Sequence, residues 1–343
     1  MKSIIEIDIN SKEPLYKQLI SNIEYLIDCG MYKKGDYVPS LNDLSHELQI
    51  SRETVKKAYV ILRNMGLLDS TQGKGYYISK NGHGKIRILL LLDKLSSYKH
   101  VTFDSFSKVL GNTAEISIKL HNQEIELFEK FLNNELDKYD YYVITPHFPL
   151  DKVTQQRALL ALKRIPNRKL LLLDRNMESL TGSFSAVYQD YGQDIFEGLL
   201  QGKKELERFK KLNIISMPSS LYAPFLKIGV KKFCEQHGLN YELHSEISVN
   251  KLQKNEVYLI LNSQLDDELI DLIRASKQKG YKIGKDIGII AYNESPINEI
   301  ILDGLTVFST DFEQMGKLAG EIILNKTINK IKCDFKLIRR GTF

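Results

Sequence analysis

No apolar run in the 343 residues approaches the roughly 18 that a membrane-spanning helix needs, and the N-terminus lacks the basic-then-apolar segment of a secreted chain. Neither secretion nor membrane anchoring is expected. Cysteine is scarce: Cys29, Cys234 and Cys333 lie far apart and are odd in number, which argues against a disulfide framework and for reduced thiols in a cytoplasm. A large surplus of one charge is also missing. The net charge is +5, and the first 80 residues hold 11 Lys and Arg against 10 Asp and Glu, so bulk basicity gives no argument for a nucleic-acid partner. Such an argument has to rest on where the charges fall.

The constellations of catalysis are absent as well. There is no Gly-x-Ser-x-Gly elbow, and Gly198, Gly202 and Lys203 have the wrong spacing for a phosphate loop, with no Ser or Thr after the lysine. They read as a helix end. His46, His83, His100, His121, His147, His237 and His244 show no metal-ligand spacing. No catalytic residue, metal or cofactor is expected. What is present is an ordinary globular balance, 43% hydrophobic and 27% charged, in a chain long enough for two or three folding units.

Residues 38–78 are the most informative stretch. Ser40 precedes Leu41, Leu44 and Leu48 and can cap a short helix that ends near Gln49. Ser51 is the next cap. Val55, Ala58, Tyr59 and Leu62 then recur at helical spacing and leave Arg52, Glu53, Lys56, Lys57 and Val60 on the other face. After Met65 and Gly66, two short strands flank Gln72, Gly73, Lys74 and Gly75. A lone amphipathic helix with lysines outside is usually a solvated helix on a core. The ordered series of cap, turn, cap, charged face and glycine-tipped ribbon favours a winged helix-turn-helix instead. Arg52 is the best base reader, because its fork can donate twice to one guanine edge, and Lys56 is the second choice. Ser51 and Thr54 can reach a phosphate at the helix N-terminus, and Lys74 can meet the backbone or a minor groove.

The stretch resembles the N-terminal DNA-binding domain of the GntR family of transcription regulators. The resemblance is carried by Pro39, Ser40, Leu44, Leu48, Ser51, Arg52, Thr54, Val55, Ala58, Leu62, Gly66, Leu67, Leu68 and the four residues Gln72, Gly73, Lys74 and Gly75. Family members often have an arginine two residues after the serine of the Pro-Ser pair; here Asn42 stands there, and the resemblance implies a DNA contact at it. The expected DNA-binding set is Ser40, Asn42, Ser51, Arg52, Glu53, Thr54, Lys56, Lys57, Gln72, Gly73, Lys74 and Gly75.

Around this stretch, residues 1–10 read as an extended packing arm, and Pro14 opens a helix to about Cys29 with Leu15, Leu19, Ile23, Leu26 and Ile27 on one side. Residues 1–79 thus form the winged domain and residues 80–85, with two glycines and no apolar residue, a flexible joint. From Ile86 the rhythm changes to strand, loop and helix. Strands are predicted at residues 86–92, 116–118, 141–144, 170–173, 186–188, 213–216, 257–261 and 287–290. Helices are predicted at 125–136, 152–164, 191–209, 222–236 and 266–279. Two parallel α/β units in tandem suggest two lobes with a cleft at the carboxyl ends of their strands.

Polar residues collect at those ends: Asp93 and Lys94, Thr145 and His147, Asp174 and Arg175, Gln189 and Asp190, Ser219 and Ser220, Asn262 and Ser263, Asn293 and Glu294. Each alone is more often a turn former or helix cap than a ligand contact. Phe103, Phe148, Tyr222, Phe225 and Tyr292 could stack on a ring and could equally be core. A second resemblance comes late in the chain. Residues 284–294, then Gly304, Met315, Gly316, Ala319 and the closing residues 337–342, resemble the C-terminal part of the LacI-type effector domain, which shares its fold with periplasmic sugar-binding proteins. It implies that residues 86–343 form two lobes joined by crossovers, bind a small ligand between them and make a homodimer.

The fold expected is multidomain: an N-terminal winged helix-turn-helix and a C-terminal two-lobed α/β domain of the periplasmic-binding-protein-like type I kind. The combination also resembles the arabinose repressor class. Two departures touch the ligand: Asn293 stands where relatives usually have an aspartate, and Leu226 followed by Lys227 where they have an arginine three residues before the glycine, here Gly229. Asn293 can still donate and accept. The expected effector set is Asp93, Lys94, Phe103, Thr145, His147, Asp174, Arg175, Asp190, Ser220, Tyr222, Lys227, Asn262 and Asn293. The function expected is a cytoplasmic, homodimeric regulator, most simply a repressor, that binds double-stranded operator DNA under control of a monosaccharide or derivative. The rival readings are a constitutive DNA-binding dimer with no ligand and an α/β enzyme.

Overall fold

The computed structural model describes residues 5–8, 11, 13–71, 73–79, 85–216, 220–245, 251–261 and 267–343. Gln72, Ser219, Asn262, Ser263 and most of the predicted joint, residues 80–84, lie outside the described residues. The chain divides into two compact units, residues 1–87 with 112–115, and residues 88–111 with 116–343.

In the first unit, α1 (Leu15–Asp28), α2 (Leu41–Leu48) and α3 (Arg52–Asn64) precede the antiparallel ribbon of β1 (Leu68–Thr71) and β2 (Gly75–Ile78). The turn between α2 and α3 is built locally. Gln49 ends α2 in the left-handed region, φ 54°, and Ser51 Oγ accepts from Thr54 N at 3.1 Å to start α3. Leu19, Ile23, Leu44, Val55, Ala58, Tyr59, Leu62 and Ile78 are fully buried together. Tyr59 fixes the layers in register, because its hydroxyl donates to Pro39 O at 2.8 Å and its ring meets Tyr76 edge-on at 5.0 Å. Ile5 joins this core and Ile7 packs against it, as the alternation suggested for that part of the arm; residues 1–4, 9 and 10 lie outside the described residues.

The second unit has two lobes. The first contains β3 (Ile86–Leu92), α4 (Ser97–Leu110), β4 (Ala114–Leu120), α5 (Ile125–Glu135), β5 (Tyr141–Ile144), α6 (Lys152–Leu162), β6 (Leu170–Asp174) and β7 (Ser185–Tyr188). The chain then crosses to α7 (Tyr191–Gln201), α8 (Lys203–Leu206), β8 (Lys211–Ile215), α9 (Ala223–His237), β9 (Tyr241–His244), β10 (Glu256–Ile260), α10 (Asp267–Gln278), β11 (Ile287–Tyr292) and β12 (Thr306–Thr310). It returns for α11 (Phe312–Leu324) and β13 (Lys330–Lys332), and crosses again to β14 (Phe335–Ile338). The two six-stranded sheets have matching orders, β4-β3-β5-β6-β7-β13 and β9-β8-β10-β11-β12-β14. The strands β3, β5, β6, β10 and β11 are mostly or fully buried, which is why their sequences are largely apolar runs rather than alternations; β12 is fully buried too, but with Thr306, Ser309 and Thr310 among its five residues.

The fold departs from expectation in places. The helix predicted at 191–209 breaks at Gly202, which caps α7 and leaves α8 as a single turn; a Cβ there would stand 3.0 Å from Leu337 Cδ2. Helices α4 and α11 were not expected, nor were β9, β13 and β14, short strands at sheet edges, or the buried β12. Helix α4 packs closely on α11, where Gly316 and Gly320 remove the side chains that would hold the helices apart. A Cβ on Gly316 would lie 2.1 Å from Thr102 O, and backbone on a packed helix cannot yield. Gly316→Val should therefore cost at least about 1–3 kcal/mol, read as a lower urea midpoint. An unchanged midpoint would refute this close packing.

Candidate functional site

The first unit places an exposed face on α3. Burial of Val55, Ala58, Tyr59 and Leu62 turns Arg52, Glu53, Lys56, Lys57 and Val60 outward. Lys56 lies 3.7 Å from Glu53, an exposed pair that restrains it little, whereas Lys57 Nζ sits 3.9 Å from the centre of the Tyr16 ring. Lys57 is thus partly engaged inside the unit, which makes Arg52 and Lys56 the freer cations of the expected set. Ser40 Oγ accepts from Asp43 N at 3.1 Å and donates to Asp43 Oδ2 at 2.6 Å, so its cap is self-contained; Asn42 beside it is exposed. Ser51 and Thr54 lie 2.8 Å apart through their hydroxyls. At the ribbon tip Gly73 (φ 78°) and Gly75 (φ 99°) bracket the exposed Lys74 in conformations that glycine adopts freely.

In the second unit the carboxyl ends of the strands meet at the seam between lobes. Asp93, after β3, has no exposed surface; it forms an ion pair with Lys99 of α4 and accepts from Thr145 Oγ1 at 3.0 Å, Gln123 Nε2 at 3.3 Å and, from the other lobe, Tyr222 OH at 3.2 Å. Asp174, at the end of β6, accepts from His147 Nε2 at 3.0 Å and from Gln189 Nε2. Asp174 and Asn293 hold φ of 72° and 70° at the ends of β6 and β11, and both are residue types that tolerate the left-handed region. Asn293 therefore meets the backbone requirement that its position imposes, while its buried Oδ1 has no hydrogen-bond partner among the described residues.

The crossings between lobes are stitched by one side chain. Gln189 Oε1 accepts from Thr310 Oγ1 at 2.9 Å and Tyr292 OH at 3.4 Å. Cys333 N donates to Tyr188 O at 2.8 Å, and Asp311 N to Asp334 O at 2.9 Å. Beside this hinge a groove of about 590 Å³ opens between the lobes, lined by Arg175, Asn176, Ser179, Asp190, Tyr191 and Phe225 among others. Two of these lining residues, Tyr191 and Asn176, have a buried OH and a buried Oδ1 without hydrogen-bond partners among the described residues.

A family model described as bacterial regulatory proteins, gntR family, matches residues 15–78, and one described as periplasmic binding protein-like domain matches residues 227–338. The chain pairs a gntR-family domain with a periplasmic binding protein-like domain. It is similar to the HTH-type transcriptional repressor YtrA of Bacillus subtilis (strain 168), 37% identical over 78 residues, which are 23% of this chain and 60% of that protein. The chain thus spans less than two thirds of that relative. The dimeric Lac repressor with an 11-residue C-terminal deletion superposes with a TM-score of 0.60 at 18% identity, over 75% of this chain and 98% of that one. A periplasmic binding protein/LacI transcriptional regulator of Alkaliphilus metalliredigens QYMF, complexed with D-xylulofuranose, gives 0.55 at 14% identity, over 75% and 99%. Both show a shared fold.

Within the binding-protein-like domain the expected effector residues separate into groups. Asp93, Thr145, His147, Asp174 and Tyr222 come together, already hydrogen-bonded to one another or to their neighbours; Arg175 and Asp190 line the groove. Ser220 Oγ accepts from Ala223 N at 3.3 Å near the start of α9, and Lys94 and Lys227 are half-buried. Phe103 faces a crevice of about 10 Å³ in the first lobe, room for at most one water. Phe148 is core, stacked on His121 at 4.7 Å. Lys99, Asn176, Gln189 and Tyr191 were not in the expected set. The repeat of Tyr98, Thr102, Phe106 and Leu110 every four residues would have revealed α4 and with it Lys99. Among the described residues no group of three His, Cys, Asp or Glu is placed to hold a metal ion, and no helix is long and apolar enough to cross a membrane.

Burial sets the charge states at the seam. It pushes Lys99 down to about 8, with Asp174 pulling the other way, so the ammonium stays protonated near neutrality. It pushes His147 down to about 4 against the pull of Asp174, so a neutral imidazole donates to an ionised carboxylate. A histidine whose folded pKa lies below its unfolded value contributes stability that is present above about pH 6.5 and lost as the pH falls through the folded value. Between about pH 7.5 and about pH 4.5 the wild type should therefore lose on the order of 2–3 kcal/mol more than His147→Gln in denaturant unfolding of the domain. His121, also pushed down to about 4 by burial, is common to both proteins and cancels. Parallel pH profiles would rule out a buried neutral His147.

Proposed function

We propose that this protein is a transcription regulator that reads duplex DNA through α3 and the ribbon, under the control of a small polar ligand bound between the lobes. The observation that carries the reading is the outward face of α3, where Arg52 and Lys56 are exposed beside a glycine-tipped ribbon while the helix's other side is fully buried. The gntR family model over the same residues and the repressor YtrA support it. For the ligand, the support is the groove and, on its lining residues Tyr191 and Asn176, an OH and an Oδ1 with no partner among the described residues, groups that hydroxyls of a monosaccharide or derivative would satisfy. The same atoms weigh against a domain that only dimerises. The structural neighbour holding D-xylulofuranose fits this class of ligand. The protein acts as a homodimer on an inverted repeat, as a repressor in the cytoplasm. Ligand alters lobe closure and so the spacing of the two readers, which requires that ligand and operator change each other's affinity reciprocally.

The test is a gel shift of the full chain on the DNA upstream of its own gene, with monosaccharides and sugar phosphates added in turn. Sequence-specific retardation that a ligand relieves is the expected result; retardation equal on unrelated DNA would defeat the reading. Arg52→Ala should weaken operator binding by about 1–3 kcal/mol and relax base preference, and unaltered preference would remove its role in reading bases. Lys74→Ala should weaken binding to all duplexes alike and lower the salt slope by roughly one; the same slope as wild type means that the ribbon tip touches no phosphate.

A further inference from the structure

We infer that the ligand of the groove carries an anionic group, a carboxylate or a phosphate, that seats on Arg175. This deepens the reading of the groove as a ligand site and rests on it. Arg175 follows the left-handed Asp174 and projects from the first lobe, with its guanidinium carbon 5.2 Å from the centre of the Phe225 ring of the second. Its one hydrogen bond among the described residues, from Nη1 to Pro146 O, is 3.4 Å long, beyond the ordinary N–H···O range. Other partly buried arginines of the same unit hold carboxylates: Arg157 takes Glu126 and Glu129, and Arg340 takes Glu294. Arg175 has none within ion-pair distance among the described residues.

A half-buried cation without a counter-charge is costly to keep, and burial depresses its pKa. The carboxylates nearby do not relieve it. Asp174 is committed to His147 and Gln189, while Glu178 and Asp190 are exposed to water, and Asp190 Oδ1 accepts from Gln193 N at 3.3 Å. The planar fork of a guanidinium matches a carboxylate or phosphate with two parallel hydrogen bonds. Other features of the groove agree. Tyr191 and Gly192, the first residues of α7, line it, so the positive end of that helix faces the same space. Tyr191 and Phe225 are stacked with centroids 6.2 Å apart and give a wall for the flat face of a ring. The class of ligand is a polyol ring bearing an acid group, a sugar acid or a sugar phosphate. A neutral sugar could accept its hydrogen bonds but would leave the guanidinium without a counter-charge.

The probes are inorganic phosphate and sodium acetate, compared with sodium chloride at constant ionic strength, in thermal unfolding of the full-length wild type, Arg175→Gln and Arg175→Lys. Phosphate or acetate should raise the wild-type Tm above its value in chloride, and Arg175→Gln should need about tenfold more anion or more for the same shift. Arg175→Lys should recover part of the response, since a point charge still attracts the anion but lacks the fork. A response to phosphate alone assigns a sugar phosphate, and one to acetate alone a sugar acid. Equal responses of wild type and Arg175→Gln to each anion, zero included, overturn the proposal. A hexose, its 6-phosphate and its uronate separate the two readings: a neutral hexose that stabilises wild type and Arg175→Gln alike keeps the groove as a ligand site while sinking the anion.

Discussion

Asp93 and Asp174 stand at the ends of β3 and β6, two buried strands of one sheet with β5 between them, and a carboxylate taken out of water there must be met by cations or hydrogen-bond donors. Much of the seam between the lobes follows from that requirement. Asp93 draws Lys99, Thr145 and Gln123 from its own lobe and reaches the Tyr222 hydroxyl in the other; Asp174 draws His147 and the hinge residue Gln189. Because Gln189 also accepts from Thr310 and Tyr292, the anion at the end of β6 is linked through one amide to the point where the chain returns between lobes. The satisfaction of buried charge and the geometry of the hinge are one arrangement.

This arrangement gives the proposed switch physical content. A ligand shifts an equilibrium between lobe positions only through contacts that differ between them. The hydrogen bond from Tyr222 to Asp93 and the approach of Arg175 to Phe225 both span the lobes, so both change when the lobes move. The crossings themselves are tied by Gln189 and by backbone bonds at Tyr188, Asp311, Cys333 and Asp334, which suits them to act as a fixed pivot in the proposed closure of the groove beside them.

Much of the fold was legible along the chain. The caps Ser40 and Ser51, the buried stripe of α3 and the glycine-tipped ribbon are encoded within a few residues of where they act. The strand at 141–144 and the helix starts at Ile125 and Lys152 agree with their apolar periodicity to the residue. Helix α4 was missed although Tyr98, Thr102, Phe106 and Leu110 recur every four residues, because Thr102 and the buried Lys99 dilute that period and only the spacing, not an apolar run, marks the helix. The site was legible in its location and less so in its membership. Polar residues do gather at the strand ends, yet Asp93, Thr145, His147 and Asp174 are occupied by internal partners, while Asn176 and Tyr191 in the groove wall gave no comparable signal.

Sequence alone determined the winged unit, the succession of parallel strands and helices, and the end of the sheets where polar groups collect, because helix capping and side-chain period act over one or two turns of chain. Only the tertiary structure decided which of those groups are satisfied and which are left to a ligand. Tyr222 meets Asp93 across 129 residues and Thr310 meets Gln189 across 121, and a hydrogen bond between such distant partners leaves no periodic trace in either neighbourhood. That no carboxylate among the described residues stands within ion-pair distance of Arg175 is likewise a property of how two lobes come together, set by distances that no local pattern records.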